Sequence, residues 1–437
     1  MEGIPGAGKT TLGMEFICRG ITEFGDPGIV LTFEQFPESL YRDAYSLGWD
    51  LRAMEKEDKL RVICTSPDVV LMPESNFLEN AVRETRAKRV LVDSVSHFRQ
   101  VVGDPLKLRQ VVYSFCNGLR RLNLTSVLIK EMEQGSEDFH SFEEFLVDIV
   151  VRLHYEAREG LARQRTVEVL KSRGQSHLSG RHSFRIQKGG ARVFSQRPLL
   201  TSIPDGLSTK QVPTGISGLD DLLGAGFPQG VTILVAGEAG TGKSVLGMEY
   251  LVNGACHHQE RGLYVSLEET LERISAQAAA FSWDLDALEQ DRKVRVIFRP
   301  FVDVNLDEMI VELADLIKEH QVQRLVLDPL PALIGRINDA SVLREKLYCL
   351  IAYLNSLGCT SLFLYPTGSV DADRQFGIVQ SLVQGSILLK YNWFQNRRIR
   401  QLELYKLRGV SHVTGNHLME ITETGIQVFP RPGGLKI

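Results

Sequence analysis

Short apolar runs rich in β-branched residues alternate with longer amphipathic stretches along most of the chain. Four of these runs have the length and composition of buried strands, namely residues 28–33, 89–94, 125–130 and 149–155. Between them lie stretches such as residues 106–122, where apolar side chains recur with a helical period. This alternation predicts an α/β fold with a mostly parallel central sheet covered on both faces. Residues 182–194 and 417–429 instead predict β-hairpins.

The same pattern occurs twice in the chain. The segment GIPGAGKTTLGMEF begins at Gly3, and GEAGTGKSVLGMEY begins 234 residues later at Gly237. Later landmarks keep nearly the same offset, since Asp93 matches Asp328 and KSRGQSH matches KLRGVSH. Two tandem copies of one domain are therefore predicted. We assign residues 1–194 to the first domain, 195–213 to a linker rich in Pro, Ser and Gly, 214–430 to the second domain and 431–437 to a short tail.

The two copies differ before their glycine-rich loops. In the second copy the apolar run from Val231 to Ala236 leads into the loop, whereas Met1 and Glu2 occupy the corresponding place in the first. Such a run normally forms a central buried strand of a parallel sheet. We therefore expect the first domain to lack its first strand, either because the sequence is a fragment or a mis-started gene model, or because this copy is degenerate.

Each copy contains the phosphate-binding pattern G-x-x-x-x-G-K-[ST], once from Gly3 to Thr10 and once from Gly237 to Ser244. In this pattern glycines let backbone N–H groups surround phosphate oxygens, the lysine contacts the terminal phosphates and the hydroxyl ligates Mg²⁺. Two matches in register predict two ATP sites, formed by Gly6, Gly8, Lys9, Thr10, Thr11, Gly240, Thr241, Gly242, Lys243, Ser244 and Val245.

Acidic residues end two of the predicted strands in each copy. Asp93 and Asp328 follow apolar strands at matching distances from the loop lysines, where a carboxylate supports Mg²⁺ together with Thr10 or Ser244. Glu34 and Glu268 end the strand after the loop, where a carboxylate can deprotonate an attacking water or hydroxyl. The second copy has an additional carboxylate, Glu269, so we expect different rates in the two copies. Solvated surface glutamates are the alternative interpretation.

A group of cations lies near the end of each copy. They include the K-x-R-G motif in both copies and an arginine six residues before each motif lysine, and the set is Arg165, Lys171, Arg173, Arg400, Lys406 and Arg408. Such cations can stabilise the negative charge on a phosphoryl group during its transfer. The nucleotide they act on could be bound by the same chain or by a neighbouring chain. A solvated, charged strand face is the alternative.

Composition mainly excludes other classes of protein. Hydrophobic residues make up 43% of the 437 residues, which is typical of a globular protein. Fifty basic against 54 acidic residues give a net charge of −4, which argues against a dedicated nucleic-acid packager. The six cysteines form no C-x-x-C pair and are interpreted as reduced thiols. No apolar run predicts a membrane span and no signal peptide is evident, so a cytoplasmic location is expected.

Taken together, these motifs resemble those of the double-domain KaiC-type ATPases of the RecA superfamily. The resemblance rests on TGISGLD before the second loop, both glycine-rich loops, the E-Q and E-E pairs, both strand-ending aspartates and both K-x-R-G-x-S-H segments. It implies a RecA-like P-loop fold in each copy, ATP and Mg²⁺ as ligands, Glu34 and Glu268 as bases, and a homo-hexameric ring. It also implies that the K-x-R-G cations reach a neighbour's ATP, and we group Arg165 and Arg400 with them.

The resemblance also bears on phosphotransfer. The clock member of the family phosphorylates itself on an adjacent Ser-Thr pair, and the matching positions here are Gln380 and Ser381. Ser381 is therefore a lone candidate acceptor for a serine/threonine autokinase. The chain stops at Ile437, without the tail that an activating partner grips, so we expect a clock-like or signalling ATPase with an unknown signalling partner.

Two other functions remain open at this stage. A RecA- or RadA-like DNA-dependent ATPase would use the same fold, although the negative net charge and the lack of a recognisable basic loop argue against nucleic acid as a partner. A nucleotide-binding scaffold with negligible turnover would use the same loops only to hold a ring together.

Overall fold

A computed structural model describes residues 1–71, 76–132, 142–156, 163–195, 210–300, 305–368 and 370–430 of the chain, with the side chains of 370–374 excepted. The chain divides into two compact units, Met1–Ser195 and Gln196–Ile437. Most of the assigned linker and the whole assigned tail lie outside the described residues. Each unit is therefore described by itself.

Within its described residues, the first unit combines ten strands with helices that lie between them in sequence. Its strands are β1 Glu2–Gly3, β2 Gly28–Thr32, β3 Leu60–Cys64, β4 Arg89–Asp93, β5 Thr125–Leu128, β6 Lys130–Glu131, β7 Ile149–Glu156, β8 Gln164–Ser172, β9 Arg181–Gln187 and β10 Gly190–Phe194. Its helices are α1 Lys9–Phe24, α2 Pro37–Ser46, α3 Leu51–Lys56, α4 Pro67–Leu71, α5 Phe77–Thr85, a 3-10 turn Val95–His97, α6 Phe98–Val101, α7 Pro105–Arg121 and α8 Phe142–Leu146.

The second unit repeats this plan in a longer form. Its strands are β11 Gln211–Val212, β12 Phe227–Pro228, β13 Thr232–Gly237, β14 Gly262–Ser266, β15 Val294–Phe298, β16 Arg324–Asp328, β17 Thr360–Pro366, β18 Gly385–Phe394, β19 Arg397–Leu407, β20 Asn416–Thr422 and β21 Gly425–Phe429. Its helices are α9 Leu219–Leu223, α10 Lys243–His257, α11 Leu271–Ala279, α12 Leu285–Gln290, α13 Leu306–His320, α14 Leu330–Ile334, α15 Ala340–Ser356 and α16 Val370–Leu382.

The main sheet of the second unit has the strand order β15-β14-β16-β17-β13-β18-β19-β20-β21. The first six of these strands run parallel, and the last three add antiparallel neighbours. Buried apolar side chains of the helices pack on both faces of the sheet, as a parallel sheet requires. The α/β fold with a mostly parallel sheet is confirmed, as are the two hairpins expected at residues 182–194 and 417–429.

The first unit keeps the same order in two adjoining sheets, β3-β2-β4-β5 and β10-β9-β8-β7-β1-β6. Strand β1 consists of Glu2 and Gly3 and pairs in parallel with β6 and β7. In the second unit β13, six residues long, pairs in parallel with β17 and β18. In the first unit, the strand that leads into the glycine-rich loop is therefore two residues long, against six in the second unit.

An arginine, fully buried in the second unit and partly buried in the first, fixes the helix after each glycine-rich loop to the sheet. Arg324 is fully buried and donates to the Glu260 carboxylate at 2.6 Å and to the carbonyls of Tyr250 and Pro213, both at 2.8 Å. Arg89 makes the matching contacts in the first unit, with Asp26 and the Phe16 carbonyl. Buried guanidinium groups need such complete pairing, so the glutamate and carbonyl partners set the position of the helix.

In each unit, a glutamate on the same helix accepts a hydrogen bond from a backbone N–H of the last hairpin. The Glu249 carboxylate accepts the Ile426 N–H at 2.7 Å, beside Asn253, and lies where a side chain on Gly425 would clash. Burial raises the pKa of Glu249 to about 7, against the hydrogen bonds from Ile426 and Asn253. In the first unit Glu15 accepts the Ala191 N–H at 2.7 Å but also pairs with Arg19.

This difference predicts a pH-dependent stability that is specific to the second unit. Folding raises the pKa of Glu249, so the native state binds this proton more tightly than the unfolded chain does. The free energy of unfolding therefore decreases as the pH rises from about 4.5 towards 7. Glu249→Gln keeps the acceptor and removes the charge. We expect it to stabilise the protein by about 2–3 kcal/mol at pH 8 and by much less at pH 5, as measured by calorimetric unfolding.

The matched control is Glu15→Gln, which breaks the ion pair with half-exposed Arg19 and should give no gain at either pH. An equal gain from Glu249→Gln at pH 5 and pH 8 would contradict the explanation, because it would not depend on ionisation.

No helix among the described residues has the length and apolar character needed to cross a membrane.

Candidate functional site

The glycine-rich loop of the second unit connects β13 to α10 at the carboxyl edge of the sheet. Gly240 and Gly242 adopt φ angles of 78° and 105°, a region that favours glycine. A side chain on Gly237 would come within 2.4 Å of the Leu389 carbonyl. These three positions explain why the motif needs glycine here. The turn leads into the first turn of α10, and the free backbone N–H groups at such a helix N-terminus bind anions.

The loop lysine is held by carbonyl groups of its own loop. The Lys243 ammonium donates to the carbonyls of Gly237 at 2.8 Å and Glu238 at 2.9 Å. Lys9 donates likewise to the Ile4 carbonyl at 3.0 Å. Burial lowers the pKa of both lysines, with nearby carboxylates opposing the shift. Both ammonium groups are therefore placed over the loop, as the motif predicts.

The remaining predicted ATP contacts lie on the loop or the first turn of the helix. Thr241 is buried and its hydroxyl donates to the Glu238 carbonyl at 2.8 Å. Thr11 and Val245 are the third residues of α1 and α10. Gly6 and Gly8 repeat the left-handed geometry of Gly240 and Gly242 in the first unit.

The predicted hydroxyl–carboxylate couples form in both units. Thr10 donates to the Asp93 carboxylate and Ser244 to the Asp328 carboxylate, each at 2.7 Å. Burial raises the pKa of Asp93, opposed by the Thr10 hydrogen bond. Asp328 also accepts the hydroxyl of buried Tyr264, a contact that the sequence did not reveal.

These couples have the chemistry of a magnesium site that is completed by phosphates. Mg²⁺ prefers oxygen ligands and usually takes one or two from the protein while phosphates and water supply the rest. Within the described residues, no group of three or more His, Cys, Asp or Glu side chains could hold a metal by itself. A hydroxyl and a carboxylate beside a phosphate loop therefore fit Mg²⁺ bound together with a nucleotide.

Glu268 follows β14 and lies near the magnesium couple. Partial burial, reinforced by the charges of Asp328 and Glu269, raises the pKa of Glu268. Glu269 is engaged differently, because its carboxylate accepts the Gln277 side-chain N–H at 2.9 Å. Of the two adjacent carboxylates, Glu268 thus has the environment that suits a general base.

The corresponding glutamate of the first unit has a partner that sequence reasoning missed. The Glu34 carboxylate lies 3.2 Å from Nε2 of His97, a buried residue in the turn after β4. The second copy has Ala332 at the matching position. A comparison of the two copies at this position could have found the difference, which makes the two candidate bases unlike.

Two of the six predicted cations contact the glycine-rich loop of their own unit. Arg165 donates twice to the Gly6 carbonyl at 3.2 Å, and Arg400 donates to the Gly240 carbonyl at 3.3 Å. Tyr391 donates to the same Gly240 carbonyl at 2.6 Å. These side chains therefore brace the loop from β8 or from β18 and β19.

The K-x-R-G cations lie elsewhere and bind carbonyls at the end of the preceding helix. Lys406 donates to Gln380 and Val383, and Arg408 donates to Ser381. The first unit repeats this arrangement, with Lys171 on the carbonyls of Glu144 and Val147 and Arg173 on that of Phe145. Within the described part of the chain, these contacts join the four cations to helix ends and not to the phosphate loop of their own unit.

The Ser381 side chain is exposed at the end of α16. Its hydroxyl donates to the Ile378 carbonyl at 2.7 Å and accepts a long hydrogen bond of 3.5 Å from Arg344. Arg408 reaches the carbonyl of the same residue at 3.1 Å. One guanidinium group thus contacts the Ser381 hydroxyl, and a second contacts the backbone carbonyl of the same residue.

Comparisons with known proteins agree with this geometry. The family model described as "ATPase: KaiC" matches residues 1–198 and again residues 212–433. The circadian clock oscillator protein KaiC of Thermostichus vulcanus is 28% identical over 98% of this chain and 84% of its own length. The KaiC protein of Parathermosynechococcus lividus is 29% identical over 98% of this chain and 81% of its own length.

Proposed function

This chain belongs to the KaiC family of ATPases, and from that premise we propose that it binds and hydrolyses ATP with Mg²⁺ in both units and works as a nucleotide-dependent homo-hexameric ring. The observation that carries the proposal is the same couple in each unit, a loop hydroxyl 2.7 Å from a strand-ending carboxylate beside a loop lysine. A degenerate site would have no reason to keep this geometry twice.

The proposed chemistry assigns a role to each group. Loop N–H groups and Lys243 bind the phosphates, and Ser244 and Asp328 would hold Mg²⁺, which would supply positive charge beside the transferring phosphoryl group. Glu268 accepts the proton of the attacking water, a role supported by the raised pKa of its carboxyl group. Lys9, Thr10, Asp93 and Glu34 take the same roles in the first unit, where His97 orients the base.

The ring is proposed to place the K-x-R-G cations at a neighbour's nucleotide. Arg173 and Arg408 are exposed, and each guanidinium has five N–H donors, more than its carbonyl contact and, for Arg173, the ion pair with Asp148 use. Arginines supplied by a neighbour can stabilise charge in phosphoryl transfer. Such an arrangement would couple assembly to nucleotide state, which suits a signalling protein with an as yet undefined partner.

A serine/threonine autokinase activity is the second candidate function. It is favoured by the exposed Ser381 hydroxyl, which Arg344 contacts, and by Arg408 on the carbonyl of the same residue, because guanidinium groups at this position would stabilise a phosphoserine. In this proposal ATP transfers its γ-phosphoryl group to the Ser381 oxygen, the hydroxyl proton is accepted by Glu268 of a neighbouring copy, and ADP leaves.

We expect Mg-ATP to convert the purified chain to a hexamer that releases phosphate, measured by size-exclusion chromatography with light scattering and a phosphate assay on the same samples. EDTA should abolish the release. Label from γ-³²P-ATP retained on the wild-type protein and absent from Ser381→Ala would support the kinase. A ring that forms with ATP and releases no phosphate would contradict the hydrolysis and leave a scaffold.

A further inference from the structure

The second unit presents an exposed aromatic side chain on the hairpin that braces its phosphate loop. Trp393 is 71% exposed near the tip of the β18–β19 hairpin. A large aromatic ring at the surface offers apolar area that a ligand can cover. The chain has three tryptophans, and this one lies on the hairpin whose Tyr391 and Arg400 contact the phosphate loop.

The face on which Trp393 lies is set by the strand register. Tyr391 pairs with Arg400 and Trp393 pairs with Arg398 across the two strands. Because side chains alternate along a strand, these four residues share one face of the hairpin. Tyr391 and Arg400 both reach the Gly240 carbonyl, so this face is the one turned to the phosphate loop.

An arginine links the tyrosine ring to the tip of the hairpin. The Arg398 guanidinium lies over the Tyr391 ring, 3.5 Å from its centre, and 3.5 Å from the Glu238 carboxylate in the loop. Cation–π contact and the ion pair hold this guanidinium in one place. Tyr391, Arg398 and Trp393 thus form a line of flat groups that leads from the loop outward along the hairpin.

The sheet order places Tyr391, Arg398 and Trp393 on the side of the loop that is opposite to Asp328. Strand β13 carries the loop, with β17 and then β16, which ends in Asp328, on one side and β18 on the other. A nucleotide that directs its terminal phosphate to Asp328 and Glu268 has its nucleoside end directed away from them. That direction is towards the β18–β19 hairpin.

We propose that Trp393, with Arg398 and Tyr391 behind it, is a base-stacking subsite for a purine nucleoside triphosphate bound in the second phosphate loop. The proposal rests on the proposed function, which places ATP in that loop. Stacking of a base on an aromatic ring contributes about 1–3 kcal/mol, and the larger purine ring gains more than a pyrimidine. Trp393 therefore selects the base, and the loop binds the phosphates.

The first unit supplies an internal comparison. Tyr155 pairs with Arg165 as Tyr391 pairs with Arg400. Two residues further along, the sequence has Ala157 where the second copy has Trp393. The subsite is thus a property of the second unit alone, and the second unit should distinguish purines from pyrimidines more strongly than the first.

The test uses the full chain with Lys9→Ala, so that binding reports the second unit. Binding of ATP, CTP and inorganic tripolyphosphate is measured by isothermal titration calorimetry, with and without Trp393→Ala. We expect the substitution to weaken ATP binding about 10-fold, to weaken CTP binding less and to leave tripolyphosphate unchanged. Trp393→Phe should retain most of the ATP affinity.

The matched control is Phe394→Ala, since Phe394 is 61% exposed and lies on the opposite face of the same hairpin. Its ATP affinity should be unchanged. Equal weakening of ATP and tripolyphosphate by Trp393→Ala would overturn the proposal, and so would loss of the oligomer with ATP affinity unchanged. If the parent chain bound tripolyphosphate and not ATP, the subsite alone would fail. If it bound neither, the proposed function would fail and take the subsite with it.

Discussion

Lys243→Ala is expected to remove one of two ATP-binding sites and leave the other intact. The ammonium is fixed over the loop by the carbonyls of Gly237 and Glu238, so it meets phosphate oxygens without reorientation of the backbone. Charge-assisted hydrogen bonds of this kind contribute about 1.5–3 kcal/mol each, and the loss of two should weaken binding by about 100-fold or more. Calorimetric titration with ATP should then show one strong site in place of two.

The first unit provides the reciprocal variant. Lys9→Ala should remove the other site, and the double variant should bind no ATP with measurable affinity. Lys293, an exposed lysine paired with Asp291, serves as the control for loss of charge alone, and Lys293→Ala should retain both sites. A stoichiometry of two in Lys243→Ala would mean that the second loop does not hold the nucleotide through this lysine.

Glu268→Gln is expected to preserve ATP binding and slow hydrolysis by about 10²–10⁴-fold in the second unit, the usual contribution of a general base. The substitution keeps the size of the side chain and removes its capacity to take a proton. Phosphate release is measured in the Lys9→Ala chain, so that the first unit does not contribute. Glu269→Gln should have a small effect, because Gln277 already engages that carboxylate.

The pH profile gives an independent check on the base. Partial burial and the charges of Asp328 and Glu269 raise the pKa of Glu268, so its proton-accepting form is lost at a higher pH than for an ordinary glutamate. Turnover should therefore fall on acidification earlier than a normal carboxyl group would dictate, and Glu269→Gln should move that limb to lower pH. Unchanged turnover in Glu268→Gln would show that another group takes the proton.

The sequence predicted the parts of the site that a motif or the end of a strand marks in both copies. The loops, their lysines and the couples of Thr10 with Asp93 and Ser244 with Asp328 all lie where the motifs placed them. Each of these features is set by a short motif or by the end of a strand, and the internal repeat doubled the evidence. The α/β order followed from the same strand periodicity.

Other parts could not be predicted because no motif marks the residues that meet, or because the contact occurs in one copy only. His97 meets Glu34 across 63 positions of sequence, and nothing in the second copy repeats it. The contact of Tyr264 with Asp328 is similar, since the first copy has Val30 there. The reach of Arg400 to Gly240 depends on the register of a hairpin, which periodicity does not fix.

The braced glycine carbonyl in each loop has a further consequence for the thermodynamics of ligand capture. Because the Gly6 and Gly240 carbonyl oxygens accept hydrogen bonds from Arg165, Arg400 and Tyr391, the peptide units of each loop are restrained from flipping. The conformational entropy of these peptide units is then lost during folding. Anion binding does not have to offset that loss, so the binding free energy is more favourable. Phosphate recognition by this protein is thus preorganised by a hairpin that follows the loop by about 150 residues in sequence.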